Sequence, residues 1–201
     1  MYKASIDARV TGETRIMGIL GNPVGHSISP QIHNTISSLL GVNAIYIPLK
    51  GDISNLEDTV KGLKAINITG FNVTIPFKEK IIRYLDECSQ EAQLIGAVNT
   101  VVNKNGRLVG HNTDAEGFSR SFEKTFGKNF KSARILILGA GGAARAVAVK
   151  AAMQGADMIN IVNRTARKAS EIADLINNNY TGCKAEALGF DDIKLRNILE
   201  K

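Results

Sequence analysis

A glycine-rich segment, RILILGAGGAARAV at residues 134–147, constrains the fold of this chain more than any other feature. Four consecutive apolar residues precede the glycines, as in a strand buried on both faces, and a helix-forming run follows them. Gly139, Gly141 and Gly142 permit a tight turn and let a pyrophosphate approach the free N–H groups of the helix N-terminus. The alternative is that these glycines serve only close packing of the helix against the strand. The segment predicts a strand–turn–helix unit of the dinucleotide-binding type.

Short apolar runs alternate with amphipathic segments along the whole chain, which is typical of α/β proteins. Strands are predicted at 15–21, 44–49, 68–73, 134–139, 158–163 and 183–188. Helices are predicted at 30–40, 54–64, 77–87, 115–126, 142–154, 166–178 and 190–200. Asn105-Gly106 joins two β-rich runs and predicts a tight hairpin. We therefore expect an α/β domain with a mostly parallel sheet over residues 1–113, followed by a Rossmann-type unit over residues 114–201.

Composition excludes several classes of protein. Hydrophobic residues make up 44% of the chain and charged residues 22%, as in globular proteins with a core. No apolar run reaches the ~18 residues of a membrane span, and the N-terminal residues are charged where a signal peptide is apolar. Cys88 and Cys183 form neither a disulfide framework nor a metal-ligand spacing. We expect a cytoplasmic protein that binds neither membrane nor metal.

The net charge of +6 does not indicate nucleic-acid binding. The basic residues are spread along predicted helices rather than clustered in a stripe, and aromatic residues, which would stack on bases, make up only 5% of the chain. A small anionic ligand and solvated helix faces account for the surplus of positive charge.

The end of the strand predicted at 158–163 indicates which dinucleotide is bound. An NAD-binding protein usually places an acidic residue there to hold the ribose 2′-hydroxyl, whereas this chain has Asn163-Arg164-Thr165, followed by Arg167 and Lys168. A guanidinium group binds a 2′-phosphate that an acid would repel, so NADP is favoured over NAD. The alternative is that these are exposed basic residues at the start of a helix.

Polar motifs follow the predicted strands of the first domain. Ser29 and Pro30 fit the cap and first position of a helix, but Ser27 adds a second hydroxyl beside that helix N-terminus, where a carboxylate would bind. Lys78 is predicted to open a helix, where a cation is disfavoured, and such local conflicts often mark function. Asp114 is either functional or a favourable first-turn acid after a Thr113–Glu116 capping box. A second capping box is predicted at Ser54 and Glu57.

Six motifs in a fixed order resemble those of the shikimate dehydrogenase family. They are GNPVGHSISP, NVTIPFK, GAVNT, NTD, GAGGAAR and NRT, and the resemblance covers about residues 14–190. It implies the reversible, NADP-linked interconversion of shikimate and 3-dehydroshikimate in chorismate and aromatic amino-acid biosynthesis. A quinate/shikimate dehydrogenase of broader substrate use and a non-catalytic ligand-binding member of the family are the alternatives.

The resemblance also implies roles for individual residues. The residues expected to bind substrate are Ser27, Ser29, Thr74, Lys78, Asn99 and Asp114, with Lys78 and Asp114 as the catalytic pair. Those expected to bind the cofactor are Gly139, Ala140, Gly141, Gly142, Ala143, Asn163, Arg164, Thr165 and Lys168. His26, His33 and His111 are expected to be structural. A monomer or a homodimer is expected.

The resemblance further implies that related chains continue beyond the last strand predicted here. This chain would then hold only the first half of a doubly wound nucleotide-binding domain, with strand order 3-2-1. Strand 134–139 would lie at the edge of that sheet, although its apolar run is typical of a central strand.

Overall fold

Outside residues 77–95, strands and helices follow one another in the order that the sequence predicts. The structure, a computed structural model, describes residues 10–200. Its strands are β1 (Arg15–Gly21), β2 (Ala44–Lys50), β3 (Gly70–Val73), β4 (Glu87–Cys88), β5 (Thr100–Lys104), β6 (Arg107–His111), β7 (Arg134–Leu138), β8 (Met158–Val162) and β9 (Lys184–Leu188). Its α-helices are α1 (Ser29–Leu39), α2 (Leu56–Ala65), α3 (Gln90–Ile95), α4 (Asp114–Phe126), α5 (Gly142–Met153), α6 (Ala166–Asn179) and α7 (Ile193–Leu199). The predicted α/β class is confirmed. Within residues 10–200, none of the helices combines the length and apolarity needed to cross a bilayer.

The chain divides into two compact units. The first contains residues 10–92 and 97–111, and the second contains residues 93–96 and 112–200. The end of α3 therefore belongs to the second unit, while the residues on either side of it belong to the first. The domain division at 113/114 stays a prediction, because compactness alone does not define a domain that folds independently.

The first unit is built on a six-stranded sheet in the order β2-β1-β3-β5-β6-β4. β1 runs parallel to both of its neighbours, whereas β5 is antiparallel to β3 and to β6. The residues that follow β1 and β3 and those that precede β5 therefore lie at the same edge of the sheet. The core below that edge consists of buried apolar side chains, which include Leu20, Leu56, Val60, Ile68, Phe71 and Phe77.

The hairpin predicted at Asn105-Gly106 is confirmed. These residues join β5 to β6, with φ angles of 53° and 85°, as in the tight turns that match the twist of a hairpin. The Asn103 side chain accepts a hydrogen bond from the N–H of Gly106 at 2.7 Å. Asparagine and glycine tolerate these left-handed φ angles better than other residues, so the dipeptide specifies the turn.

The second unit contains a parallel three-stranded sheet in the order β7-β8-β9. The central strand is fully buried at Ile159, Ile161 and Val162. β7 lies at the edge, as expected, and its last residue, Leu138, is 69% exposed. The order is that of the first half of a doubly wound nucleotide-binding fold.

The helix predicted at 77–87 is wrong. The chain forms a 3₁₀ helix over Lys80–Tyr84, then β4, and then α3, which was not predicted. Asp86 disrupts the helix, because its carboxylate accepts hydrogen bonds from the Lys64 ammonium at 2.8 Å and the N–H of Leu108 at 2.7 Å. These long-range bonds draw the segment toward the sheet, where β4 pairs with β6.

Both predicted capping boxes are also wrong. Asp52, not Ser54, accepts the N-terminal hydrogen bond at the start of the second helical segment, and Glu57 pairs with Lys61 at 2.7 Å. The Thr113 side chain makes no cap hydrogen bond at α4. Glu116, its expected partner, instead forms ion pairs with Arg120 and Lys150.

The ion pair between Glu116 and Lys150 joins α4 to α5. Their charged atoms are 2.6 Å apart, and the Lys150 side chain is only 11% exposed. The hydrogen bond from Lys150 lowers the pKa of Glu116 most, and the hydrogen bond from Arg120 lowers it further. A carboxylate whose pKa is lowered by folding stabilises the folded state above its unfolded pKa, and that stabilisation is lost as the pH falls through the folded pKa.

Lys150→Met should lower the free energy of unfolding by about 1–2 kcal/mol at pH 7, because it leaves the Glu116 carboxylate without its better-buried partner. It should also make the loss of stability, as the pH falls below the unfolded pKa of Glu116, shallower than in the wild type. Urea denaturation at several pH values measures both effects. Lys124→Met, on the exposed surface of α4, is the control; equal effects of the two variants would contradict the prediction.

Candidate active site

The loops that follow β1 and β3 are joined by backbone hydrogen bonds. The N–H of Asn22 donates to the carbonyl of Ile75 at 3.0 Å, and the N–H of Thr74 donates to the carbonyl of Leu20 at 2.9 Å. The motifs GNPVGHSISP and NVTIPFK, which start at residues 21 and 72, are thereby held side by side at the edge of the first sheet.

Ser27 and Ser29 lie at the start of α1, both half-buried. Ser29 was predicted to cap this helix, which is wrong: Ile28 holds the cap position without a side-chain bond, and Ser29 is the first helical residue. The Ser27 hydroxyl accepts the N–H of Ser29 at 3.3 Å instead. Two hydroxyls therefore flank the N-terminus of an 11-residue helix that has no acid in its first turn, an environment that favours an anion.

Asn99 is buried immediately before β5, where it joins β3 and β6. Its N–H donates to the carbonyl of His111 at 3.0 Å, and its carbonyl accepts from the N–H of Val73 at 2.9 Å. Its side-chain oxygen accepts from the Thr100 hydroxyl at 3.1 Å. The Asn99 amide is thus fixed at the same edge as Thr74.

Lys78 is half-buried in the turn between Thr74 and the 3₁₀ helix. The prediction that it opens an α-helix is wrong, so no helix dipole opposes its charge. Its carbonyl accepts a hydrogen bond from the N–H of Val98 at 2.8 Å. This bond places the backbone of Lys78 next to the residue that precedes Asn99.

A buried hydrogen-bond network behind these residues was not predicted. The Tyr46 hydroxyl donates to the Asn72 side-chain oxygen at 2.7 Å, and the Asn72 amide donates to the Thr100 hydroxyl at 3.1 Å. Burial raises the pKa of Tyr46 to about 12, so its hydroxyl stays a donor. The His33 ring stacks on Tyr46 at 4.2 Å. A tyrosine inside the apolar run AIYIPL was the one sequence signal for this network, because a buried hydroxyl needs a partner.

Gly21 allows the close approach of β1 to Thr74. A Cβ atom added at Gly21 would overlap the Thr74 methyl carbon, whereas one added at Gly25 in the same loop would meet no atom within 4 Å. We expect Gly21→Ala to displace Thr74 and to lower the free energy of unfolding by about 1–3 kcal/mol. Gly25→Ala should change it little. Urea denaturation of the two variants measures the difference. Equal stabilities would contradict the prediction, because Thr74 would then move without lowering the free energy of unfolding.

Asp114 lies in the second unit as the first residue of α4 and is exposed. Its N–H donates to the side-chain oxygen of Asn112 at 3.0 Å, and Asn112 itself is only 6% exposed. The buried amide therefore orients the start of the helix. The predicted substrate residues are divided in this way, with Asp114 in the second unit and the others in the first.

The glycine-rich turn connects β7 to α5. Gly139 has a φ of +114° and donates its N–H to the carbonyl of Val162 at 2.7 Å. Gly141 takes the cap position without any side-chain bond, and the 12-residue helix begins at Gly142. A Cβ atom at Gly141 or Gly142 would meet nothing within 4 Å, so close helix–strand packing does not explain these glycines. Ala140 lies in the turn, and Ala143 is the second residue of the helix. The open helix N-terminus fits a pyrophosphate group.

The predicted 2′-phosphate site follows β8. The Asn163 side chain is half-buried and donates to the carbonyl of Thr165 at 3.0 Å, which fixes the turn into α6. The other residues of this predicted site are exposed, namely Arg164, Thr165 and Lys168. Among the residues that the structure describes, Arg164 and Lys168 have no ion-pair partner, and the first turn of α6 contains no acid. This helix start fits a dianionic phosphate rather than a hydroxyl.

Two family models match the chain. The model described as the shikimate dehydrogenase substrate binding domain matches residues 19–101, and the model described as shikimate / quinate 5-dehydrogenase matches residues 121–196.

Curated relatives agree with these matches. The shikimate dehydrogenase (NADP(+)) of Alkaliphilus metalliredigens is 44% identical over 196 residues, covering 98% of this chain and 68% of the relative. That of Alkaliphilus oremlandii is 50% identical over 167 residues, covering 83% of this chain and 58% of the relative. The chain therefore spans about two thirds or less of the length of these relatives.

Two solved structures have a similar fold. Shikimate 5-dehydrogenase from Listeria monocytogenes, in complex with shikimate and NAD, has a TM-score of 0.87 and 38% identity over 93% of this chain and 65% of its own. Ligand-free 5-ketofructose reductase of Gluconobacter has a TM-score of 0.83 and 40% identity over 90% of this chain and 64% of its own.

Proposed function

The chain belongs to the shikimate dehydrogenase family, and on that premise we propose that it takes part in the reversible, NADP-dependent reduction of 3-dehydroshikimate to shikimate. This reaction is a step of chorismate and aromatic amino-acid biosynthesis. The observation that carries the proposal is the edge of the first sheet, where backbone hydrogen bonds hold the segments of Ser27, Thr74, Lys78 and Asn99 together.

We assign the substrate carboxylate to Ser27 and Ser29. Both hydroxyls flank the uncapped N-terminus of α1, which favours an anion. Thr74 and Asn99, at the same edge, would bind ring hydroxyls together with Lys78 and Asp114. The Tyr46–Asn72–Thr100 network supports Asn99 from behind, because Thr100 bonds its side-chain oxygen. A rigid supporting layer of this kind keeps binding groups in position.

The chemistry assigns Lys78 the role of general acid. Bound NADPH would supply the hydride. The ketone oxygen then becomes an alkoxide, and a lysine ammonium stabilises this charge and donates the proton. In the reverse direction the neutral amine accepts the proton from the shikimate hydroxyl. We propose that Asp114 is the second member of the catalytic pair with this lysine.

We propose that the glycine-rich turn binds the cofactor pyrophosphate and that Arg164, Thr165 and Lys168 bind the 2′-phosphate. The open space before α5 and the absence of acidic residues from the first turn of α6 support this assignment. Both cysteines are free, and burial raises the pKa of each thiol. Two cysteines without a disulfide framework are typical of a reducing compartment, which we propose is the cytoplasm. We also propose that the protein acts as a monomer or homodimer and binds no nucleic acid.

A second candidate is a dehydrogenase that also accepts quinate. The family model that matches residues 121–196 is described for both substrates, which favours keeping this candidate. Comparison of kcat/KM for shikimate and quinate distinguishes the two.

The test is shikimate-dependent reduction of NADP⁺, followed by the absorbance of the reduced nicotinamide. The assay is run on the purified chain and on a chimaera that supplies the part of the Alkaliphilus metalliredigens relative that this chain does not match. We expect a rate that requires both shikimate and NADP⁺ in at least one of them. No shikimate-dependent rate in either protein would contradict the proposed function.

A further inference from the structure

Arg145, in the first turns of α5, connects the glycine-rich turn to a distant segment of the chain. Its side-chain Nε donates a hydrogen bond to the carbonyl of Leu94 at 3.0 Å, 51 residues earlier. Its own backbone N–H donates to the carbonyl of Gly141 at 3.0 Å, which is the cap residue of α5. One residue thus bonds both the turn that we assign to the cofactor and the end of α3.

The segment that Arg145 holds has an unusual place in the fold. Residues 93–96 belong to the second compact unit, although the chain before and after them belongs to the first. Leu94 and Ile95 end α3, where helix carbonyls lack partners within the helix. A guanidinium group is suited to such a carbonyl, because it is a permanent cation with several donors.

The Arg145 guanidinium group also lies beside Gly96. A Cβ atom added at Gly96 would lie 3.5–3.6 Å from three atoms of the Arg145 guanidinium group. This is an ordinary van der Waals distance, so the guanidinium group that bonds Leu94 also lies close to Gly96. Arg145 is half-buried in this position.

The held segment leads directly to two proposed active-site residues. Only Ala97 separates Gly96 from Val98, whose N–H bonds the carbonyl of Lys78 at 2.8 Å. Asn99 follows and is fixed by its backbone bonds to Val73 and His111. A shift of the segment at 94–96 would therefore be transmitted through the main chain to the backbone of Lys78 and to the Asn99 amide.

We propose that Arg145 is a positioning residue that couples cofactor binding at the glycine-rich turn to the placement of Asn99 and Lys78. This inference rests on the proposed function. A cofactor that orders the Gly141 turn also orders the backbone from which Arg145 extends, and hence the segment that precedes Asn99. By linkage, each ligand then raises the affinity for the other by the same factor.

The experiment measures this factor directly. The dissociation constant of NADPH is determined by nicotinamide fluorescence with and without saturating shikimate, a pair of ligands that cannot react with each other. For the wild type we expect shikimate to tighten NADPH binding ~5- to 150-fold, the usual range of coupling between sites. Arg145→Met should reduce the factor below about twofold, and Arg145→Lys, which keeps a donor, should restore part of it.

The matched control is Arg196→Met, which removes an exposed arginine from α7 of the same unit. It should keep the wild-type factor, and thermal unfolding should show that Arg145→Met is still folded. A purely structural role would weaken both ligands without changing the factor.

The possible failures are distinguishable. A wild type that binds neither ligand would overturn the proposed function and the coupling together. A wild type that binds both without coupling, or an Arg145→Met variant that keeps the wild-type factor, would overturn the coupling alone.

Discussion

Replacing Lys78 with alanine should lower kcat for shikimate oxidation by ~100- to 10,000-fold, the usual contribution of a general acid–base residue. The variant cannot protonate or deprotonate the substrate oxygen, and it loses the charge that stabilises the alkoxide. The KM for shikimate should rise only a few-fold, because Ser27, Ser29 and Asn99 still bind the substrate. Steady-state kinetics with NADP⁺ measures both constants.

Lys80→Ala is the matched control for this prediction. Lys80 lies two residues further along the same basic segment and is exposed, in contrast to the half-buried Lys78. Its replacement should leave kcat within about twofold of the wild type. A Lys78→Ala enzyme with an unchanged rate would remove Lys78 from the mechanism, even if shikimate dehydrogenase activity itself is observed.

Replacing Arg164 with alanine should weaken NADP⁺ binding ~10- to 100-fold while changing NAD⁺ binding only a few-fold. A hydrogen bond to a charged group contributes about 1.5–3 kcal/mol, which corresponds to this range. The difference arises because only NADP⁺ has the 2′-phosphate that Arg164 would bind. Titration of both cofactors against the wild type and the variant gives the four dissociation constants.

Arg196→Ala controls for the loss of one positive charge from the second unit. It should weaken NADP⁺ far less than Arg164→Ala does, because Arg196 lies in α7 and is not part of the turn that follows β8. If Arg164→Ala weakened NADP⁺ and NAD⁺ equally, the 2′-phosphate would have to bind elsewhere, with Lys168 and Thr165 as the next residues to replace.

The similar proteins differ in the cofactor that their names or structures give, which is why both cofactors are titrated. The curated relatives are named for NADP⁺, whereas the Listeria monocytogenes structure contains NAD. Family membership alone therefore does not determine the cofactor of this chain. The basic start of α6, with no acid in its first turn, is the local feature that favours NADP.

Local patterns predicted the secondary structure well wherever the determining interactions are close in sequence. The strand–turn–helix at Gly139–Gly142 follows from backbone freedom and apolar periodicity, and the hairpin at Asn105-Gly106 follows from φ angles that few residues tolerate. The same patterns failed over 77–87, because Asp86 there bonds Lys64 and Leu108, each 22 residues away.

The candidate site shows the same difference between features set by neighbouring residues and features set by long-range contacts. The sequence by itself determined the α/β class, the position of the glycine-rich turn and the residue types available for an anionic substrate and a phosphorylated cofactor, because these depend on neighbouring residues. Only the tertiary structure decided that Tyr46 and Asn72 support Asn99 and that Arg145 holds Leu94. Each of these depends on which atoms meet once the chain is packed, and hydrogen bonds between residues distant in sequence leave no periodic pattern from which they can be predicted.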